Sequence, residues 1–292
     1  MTVRKVGVVG CGLMGSGIAE AAARAGYDVL VREVSEELIG QGKQRIAQSM
    51  EKAIEREKMT SAERDLAVER LSYTTKVSEL VDRDLIIEAV VEDLEVKRKL
   101  FVELDGLCPE HTIFASNTSS LAITDMAAAV KRPDRFLGLH FFNPVPVMKL
   151  VEVVRTIATS EKTVSEALDF ARRLGKEAVA AKDQAGFIVN LLLVPYMLDA
   201  VRQLERGAAS MEDLDKAMVL GCGYPMGPIA VIDFVGTDTA LRIAEILYDE
   251  YREPKYAPPP LLRRIVAMGR YGRKVGRGFY DYSGEVPVPL PV

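Results

Sequence analysis

Long apolar runs are missing from this 292-residue chain. Although 48% of the residues are hydrophobic, no stretch approaches the roughly 20 apolar residues that a membrane-spanning helix needs. The opening MTVRKVGVVGCG passes directly into a strand-like pattern, without the apolar segment and cleavage site of a secretory signal. We therefore expect a cytoplasmic protein with no membrane partner, and the length allows two domains.

Cysteine, histidine and excess positive charge are also scarce. The three cysteines lie far apart in the sequence, which disfavours a disulfide scaffold and gives no metal-ligand spacing, so no metal site is predicted. The net charge of −4 at pH 7 argues against the basic surface that nucleic acids need. With two histidines in the chain, His111 and His140, a catalytic base near neutral pH has few candidates.

Strand-like and helix-like patterns alternate through the first part of the chain. Apolar runs such as VRKVGVV, YDVLVRE, DLIIEAV and TIFASN are separated by helical or polar segments, one of them expected to begin at the N-cap Ser35. This alternation predicts an α/β fold with a Rossmann-like, doubly wound, mostly parallel sheet. We assign residues 1–184 to this domain.

The pattern changes after Lys182, where helical periodicity replaces strand alternation. GFIVNLLLVPYMLDAVRQLERG predicts a long helix, and SMEDLDKAMVLGCG predicts a second one with Ser210 as its N-cap. The terminal EVPVPLPV is expected to form a loose extended tail. Residues 185–292 are therefore predicted to form an all-α domain.

A glycine-rich stretch, GCGLMG, follows the first predicted strand and opens a helix. With an acidic residue ending the second strand, this G-x-G-x-x-G spacing is the dinucleotide-binding fingerprint in its full context, and the alternative is a turn without a ligand. Glu33 can bind ribose hydroxyls and would repel a 2′-phosphate, which favours NAD, whereas Arg32 beside it could tolerate that phosphate. The predicted cofactor contacts here are Gly10, Gly12, Leu13, Met14, Gly15 and Glu33.

A dinucleotide domain suggests hydride transfer, which needs a group that takes or gives a proton. His111 precedes a strand, at the sheet edge away from the ligand crevice, so it is expected at the surface. His140 ends the pattern RFLGLH, where a crevice residue should lie. The following FFNPVPVM must turn and can return Glu152 to His140, where a carboxylate would fix the imidazole tautomer and stabilise its cation. The alternative is an ordinary structural histidine.

Other polar groups follow predicted strands. The hydroxyl and amide groups of SNTSSL could bind a substrate oxygen or nicotinamide, or could cap the next helix. Asn190, flanked by apolar residues, either satisfies backbone groups or faces a cleft. Glu92 and Lys97 either reach the cofactor or form an ordinary solvated helix start.

These segments together resemble the short-chain (3S)-3-hydroxyacyl-CoA dehydrogenase family, which includes bacterial 3-hydroxybutyryl-CoA dehydrogenases. The resemblance covers nearly the whole chain and rests on GCGLMGSGIA, EAVVEDLEVK, SNTSSL, GLHFFNPVPVMKLVEVV, DQAGFIVNLLLVPY, LGCGYPMGP and GRKVGRGFY. It implies that His140 is the catalytic base and acid, that Glu152 is its partner, and that Ser119 and Asn190 bind and orient the substrate. The cofactor contacts that it implies are Glu33, Glu92, Lys97, Asn117 and Asn143.

The resemblance further implies an acyl-CoA substrate and NAD as cofactor. It also implies that the helical domain, residues 185–292, binds substrate and forms a homodimer. Lys52 and Arg56 are candidates for binding the CoA phosphates, or they are part of a solvated helix face. Two rival functions stay open: an NAD-dependent dehydrogenase of a free hydroxy acid or sugar acid on the same fold, and a non-catalytic NAD-binding protein. A lysine-dependent β-hydroxyacid dehydrogenase is disfavoured, because Leu193 stands where the motif G-x-x-x-N-x-x-K has its lysine.

Overall fold

The computed structural model describes residues 3–292. The chain divides into two compact units between Gln184 and Ala185. Within the described residues, no helix is both long and apolar enough to cross a membrane. The role predicted for the second unit, in substrate binding and dimerisation, stays a prediction.

The first unit alternates strands with helices. Its strands are β1 (Lys5–Val9), β2 (Asp28–Arg32), β3 (Leu71–Thr74), β4 (Leu85–Glu88), β5 (Ile113–Ser116), β6 (Phe136–Phe141), β7 (Leu150–Arg155) and β8 (Glu177–Lys182). Its helices are α1 (Leu13–Arg24), α2 (Glu36–Glu55), α3 (Ser61–Glu69), α4 (Leu94–Leu107), α5 (Ile123–Ala127) and α6 (Glu161–Arg173).

All eight strands join one sheet in the order β3-β2-β1-β4-β5-β6-β7-β8. The pairs from β3 to β6 are parallel, β7 runs antiparallel to β6, and β8 runs parallel to β7. The strand order reverses direction between β1 and β4, and α/β sheets bind ligands beyond the carboxyl ends of strands at such a point. The predicted doubly wound, mostly parallel sheet is confirmed.

Local signals explain where the helices of this unit begin. Ser35 caps α2, because its side chain accepts a hydrogen bond from the Leu38 amide at 3.3 Å. Helix α3 was not predicted, although its sequence carries the signal of a capping box. The Thr60 hydroxyl accepts from the Glu63 amide, and the Glu63 carboxylate accepts from the Thr60 amide. The helix predicted after Ser35 is α2, which ends at Glu55, and α3 is a separate helix that begins at Ser61.

The second unit is mainly helical. Its elements are α7 (Val189–Glu205), α8 (Met211–Cys222), α9 (Pro228–Val235), α10 (Thr237–Tyr251), α11 (Pro260–Ala267), β9 (Tyr280–Asp281) and β10 (Val288–Pro289). Ser210 caps α8 as predicted. Helix α7 begins three residues later than expected, because Gly186 and Phe187 have positive φ values of 80° and 48°, which an α-helix does not accept.

The prediction of a loose C-terminal tail is wrong for two residues, because β10 pairs antiparallel with β9. The buried carboxylate of Asp233 anchors this hairpin by accepting hydrogen bonds from the amides of Phe279 and Tyr280, both at 2.9 Å. A sequence pattern based on apolar periodicity could not show this contact, since it joins α9 to a segment 46 residues away.

Candidate active site

His140 and Glu152 lie directly opposite each other on the antiparallel strands β6 and β7. The Nδ1 atom of His140 lies 2.6 Å from Oε2 of Glu152, and the two residues are 5% and 0% exposed. A buried carboxylate is costly unless it is paired, and the imidazole supplies that pairing. The structure thus brings together the two side chains that the sequence analysis placed in one pair.

This geometry determines how the imidazole can act. With Nδ1 hydrogen-bonded to the carboxylate, Nε2 is the ring nitrogen with which His140 can exchange a proton, and the carboxylate stabilises the imidazolium that forms. The ring also packs against Phe142, with centroids 4.4 Å apart. The pair has the arrangement of a general base held by an orienting carboxylate.

A second buried carboxylate, Glu88, ends β4. It is 0% exposed and accepts hydrogen bonds from the Val90 amide at 2.7 Å, the Lys97 ammonium at 2.5 Å and the Ser116 hydroxyl at 2.6 Å. Glu88 was not predicted as a site residue. The signal was present, since DLIIEAV places an acidic residue in an apolar strand, just as KLVEVV does with Glu152.

Glu88 belongs to a network that contains three of the predicted site residues. The Lys97 ammonium lies between Glu88 and Glu92, at 3.2 Å from the Glu92 carboxylate. The same Glu92 carboxylate accepts from the Ser119 amide at 3.3 Å, and from the hydroxyl groups of Thr118 and Ser120. The loops after β4 and β5 are therefore cross-linked. The roles predicted for Glu92, Lys97 and Ser119 toward cofactor and substrate stay predictions.

Asn117 links three strand ends beside the histidine. Its backbone amide donates a hydrogen bond to the Glu88 carbonyl at 2.8 Å, and its side-chain oxygen accepts one from the Phe141 backbone amide at 2.9 Å. Asn143, in the loop between β6 and β7, is exposed. Asn190 belongs to the second unit, in the first turn of α7. The predicted contacts of these three residues with cofactor or substrate stay predictions.

The glycine turn between β1 and α1 has the shape that a dinucleotide needs. Gly10 has φ +96°, and a Cβ atom on Gly15 would lie 1.9 Å from the Gly10 carbonyl oxygen, so each position requires glycine. A Cβ atom on Gly12 would meet nothing within 4 Å, so the backbone at this helix start is accessible. Accessible amides at a helix N-terminus favour phosphate groups. The residues present fit the predicted cofactor.

Glu33 lies against this turn. Its carboxylate accepts a hydrogen bond from the Cys11 amide at 2.8 Å, while Arg45 donates to the Cys11 carbonyl at 3.2 Å.

Burial, with the negative charge of Glu33, raises the pKa of the Cys11 thiol to about 11. Burial likewise raises the pKa of Cys108 to about 11. Both thiols are therefore protonated at neutral pH and are poor nucleophiles.

The remaining predicted residues lie away from the His140–Glu152 pair. Lys52 and Arg56 are exposed at the C-terminal end of α2. His111 lies just before β5, and its side chain is 40% exposed with Nε2 3.5 Å from Asp84. Among residues 3–292, no group of three or more potential ligand side chains could hold a metal ion.

Two family models match the chain. One is described as 3-hydroxyacyl-CoA dehydrogenase, NAD binding domain, and matches residues 5–184. The other is described as 3-hydroxyacyl-CoA dehydrogenase, C-terminal domain, and matches residues 186–282. Together they cover both compact units.

Named relatives match over almost their full lengths. The chain is 52% identical to 3-hydroxybutyryl-CoA dehydrogenase of Mycobacterium tuberculosis, over 96% of this chain and 99% of the relative. It is 47% identical to the human mitochondrial hydroxyacyl-coenzyme A dehydrogenase, over 96% and 92% of the two chains. The crystal structure of (S)-3-hydroxybutyryl-CoA dehydrogenase from Ralstonia eutropha superimposes on this chain with a TM-score of 0.92. The match covers 97% of this chain and 100% of the other, and the two sequences are 43% identical.

Proposed function

The chain belongs to the 3-hydroxyacyl-CoA dehydrogenase family, and from that premise we propose that it interconverts short-chain (3S)-3-hydroxyacyl-CoA and 3-oxoacyl-CoA, with His140 as the general base and acid. The family's NAD-binding domain makes NAD the cofactor. The observation that carries the proposal is the buried contact of 2.6 Å between His140 and Glu152 at the sheet edge where ligands bind.

In the oxidation direction, Nε2 of His140 takes the proton of the C3 hydroxyl. Glu152 holds the ring through Nδ1 and stabilises the resulting cation, so the proton transfer needs no reorientation of the base. In the reduction direction the imidazolium returns the proton to the oxygen. We assign Ser119 and Asn190 to holding that oxygen, as the family resemblance implies.

NAD, when bound, accepts the hydride from C3 in oxidation and, as NADH, returns it in reduction. Glu33 would hold the adenosine ribose, and the accessible backbone at Gly12 would face the pyrophosphate. Lys97 is buried in its ion pairs, so we propose that Glu92 makes the more direct of the two contacts with the cofactor.

The CoA moiety carries negatively charged phosphates, and we assign these to Lys52 and Arg56. Both side chains are exposed, which leaves their charges available to a ligand. Replacing either residue by glutamine should raise KM for acetoacetyl-CoA, with the largest effect at low salt, and should leave the KM for NADH unchanged. Equal kinetics at low salt would instead assign them to a solvated helix face.

The deciding experiment compares His140→Gln with His111→Gln. With acetoacetyl-CoA and NADH, His140→Gln should fold normally and lose kcat by about 10²- to 10⁴-fold, the usual contribution of a general acid or base. His111→Gln is the matched control, since it removes the other histidine at the opposite edge of the sheet, and it should retain kcat. Unchanged turnover in His140→Gln would refute the assignment.

The same assay separates the rival functions. A panel of 3-oxoacyl-CoA substrates of increasing length, with NADH and NADPH, would determine the preferred chain length and cofactor. Faster turnover of a free hydroxy acid or sugar acid would favour a same-fold dehydrogenase without CoA. Tight NADH binding with no turnover of any acyl-CoA would favour a non-catalytic NAD-binding protein.

We also propose a homodimer formed through the helical unit. Several large apolar side chains are exposed there, and a dimer interface would cover them. They are Leu192, Leu220, Tyr224, Phe234 and Met268, from 44% to 75% exposed. Analytical ultracentrifugation should give a particle mass of twice the chain mass. Leu220→Glu should shift that mass toward the value of the monomer. The cytoplasmic location stays a prediction.

A further inference from the structure

The loop 142–149, which joins β6 to β7, is held by a buried lysine outside the proposed catalytic set. Lys176, just before β8, is 8% exposed. Its ammonium donates hydrogen bonds to the carbonyl oxygens of Val145 at 2.5 Å and of Met148 at 2.7 Å. Hydrogen bonds from a charged donor are stronger than neutral ones. This lysine therefore holds the loop at two positions, Val145 and Met148.

This loop also packs against α1, the helix that follows the glycine turn. A Cβ atom on Gly17, in α1, would lie 2.9 Å from Cβ of Val145, so the loop approaches α1 as closely as a glycine allows. Val145 is 2% exposed. Lys176 and Gly17 therefore both contact the same short segment, at Val145.

Charged groups on α1 surround the ammonium. Glu20, which is 1% exposed, attracts it, and Arg24 repels it. Glu20 is paired with Arg24 at 3.2 Å. Burial and the nearby Arg24 lower the pKa of Lys176, and Glu20 opposes that shift. The lysine is thus coupled to the helix that starts at the cofactor turn.

The position of the loop matters because of what adjoins it. Its N-terminal part carries Asn143. The strands on either side carry His140 and Glu152, which lie within five residues of the segment that Lys176 holds. We propose that Lys176 is a positioning residue, which holds this loop against α1 and so fixes the catalytic strand pair relative to the dinucleotide turn. The proposal rests on the proposed function for the roles of His140 and Asn143.

The test measures three quantities on Lys176→Met: the Kd of NADH by fluorescence titration, kcat/KM with acetoacetyl-CoA, and Tm. We expect a Kd of NADH raised by about tenfold and kcat/KM lowered by up to about 10²-fold, the scale of a misplacement near 1 Å. Lys176→Arg should restore part of both losses, because guanidinium can also donate to two carbonyls. A purely structural lysine would lower Tm and leave both quantities at the wild-type value.

Gly17→Ala provides a second perturbation of the same loop. It should raise the Kd of NADH in the same direction, and the double variant with Lys176→Met should lose less than the product of the two single losses, since both displace one segment. Two controls should match wild type: Lys162→Met, which removes an exposed lysine of α6, and Gly106→Ala, whose added Cβ meets nothing within 4 Å.

Wild-type Kd and kcat/KM in Lys176→Met would overturn the proposal. If that variant does not fold, wild-type values in both Lys176→Arg and Gly17→Ala would overturn it. Failure of the proposed function gives a different result, because the wild-type chain would then not turn over acetoacetyl-CoA, whereas the NADH titrations would still decide the role of Lys176.

Discussion

Replacing Glu152 by glutamine removes the negative charge beside His140 and keeps the shape of the side chain. The amide oxygen can still accept from Nδ1, so the tautomer is retained, but the imidazolium loses its charged partner at 2.6 Å. A hydrogen bond to a charged group contributes about 1.5–3 kcal/mol. Since about 1.4 kcal/mol corresponds to a tenfold change in rate, kcat should fall roughly 10- to 150-fold.

Single-turnover oxidation of NADH by acetoacetyl-CoA is the appropriate assay, because product release can mask the chemical step in steady-state rates. Glu166→Gln is the matched control. It removes a carboxylate of α6, in the same unit, whose side chain is 12% exposed and which pairs with Arg135 at 3.2 Å. The control should keep the wild-type single-turnover rate. A Glu152→Gln rate within twofold of wild type, at unchanged Tm, would refute the reasoning and make the pair structural.

Three further perturbations test other parts of the molecule. Glu33→Ala should weaken NADH binding and raise the preference for NADPH, measured as the ratio of the two kcat/KM values; an unchanged ratio would remove Glu33 from cofactor selection. Glu88→Gln should lower the free energy of unfolding, measured by urea denaturation, by about 1.5–3 kcal/mol, because the buried Lys97 ammonium loses its nearest carboxylate and keeps only Glu92; a loss below about 1 kcal/mol would contradict this. At pH 8 a thiol reagent should modify the exposed Cys222 and should reach the other two cysteines, whose pKa values are about 11, only after denaturation.

The parts of the fold that follow periodicity were predictable from the sequence. The strand runs, the glycine turn and the N-caps Ser35 and Ser210 are local signals, and the structure confirms them. The His140–Glu152 contact was predictable for a related reason, because a short turning loop between two strands restricts which residues can lie opposite each other.

The parts that depend on long-range contacts were not predictable in this way. The acidic Glu88 in an apolar strand signals a buried partner, but the sequence does not identify Ser116 as that partner. Lys176 carries no such signal, and its partners are found only when the loop 142–149 folds against it. Helix α3 is a different case, since the Thr60–Glu63 capping box was visible in the sequence. The relation of Asn190 to the catalytic pair depends on two separately folded units, which no local pattern specifies.

The register of β6 and β7 makes the His140–Glu152 pairing depend on the correct alignment of the two strands. His140 and Glu152 are paired, while the alternate residues Leu139, Phe141 and Val153 pack in the apolar core. Sliding one strand by a single residue would move its polar side chain into that core and separate the pair, leaving an isolated buried charge. Misaligned chains should therefore unfold or be degraded rather than persist as inactive impurities. Active-site titration of a purified sample should give the same concentration as its folded fraction.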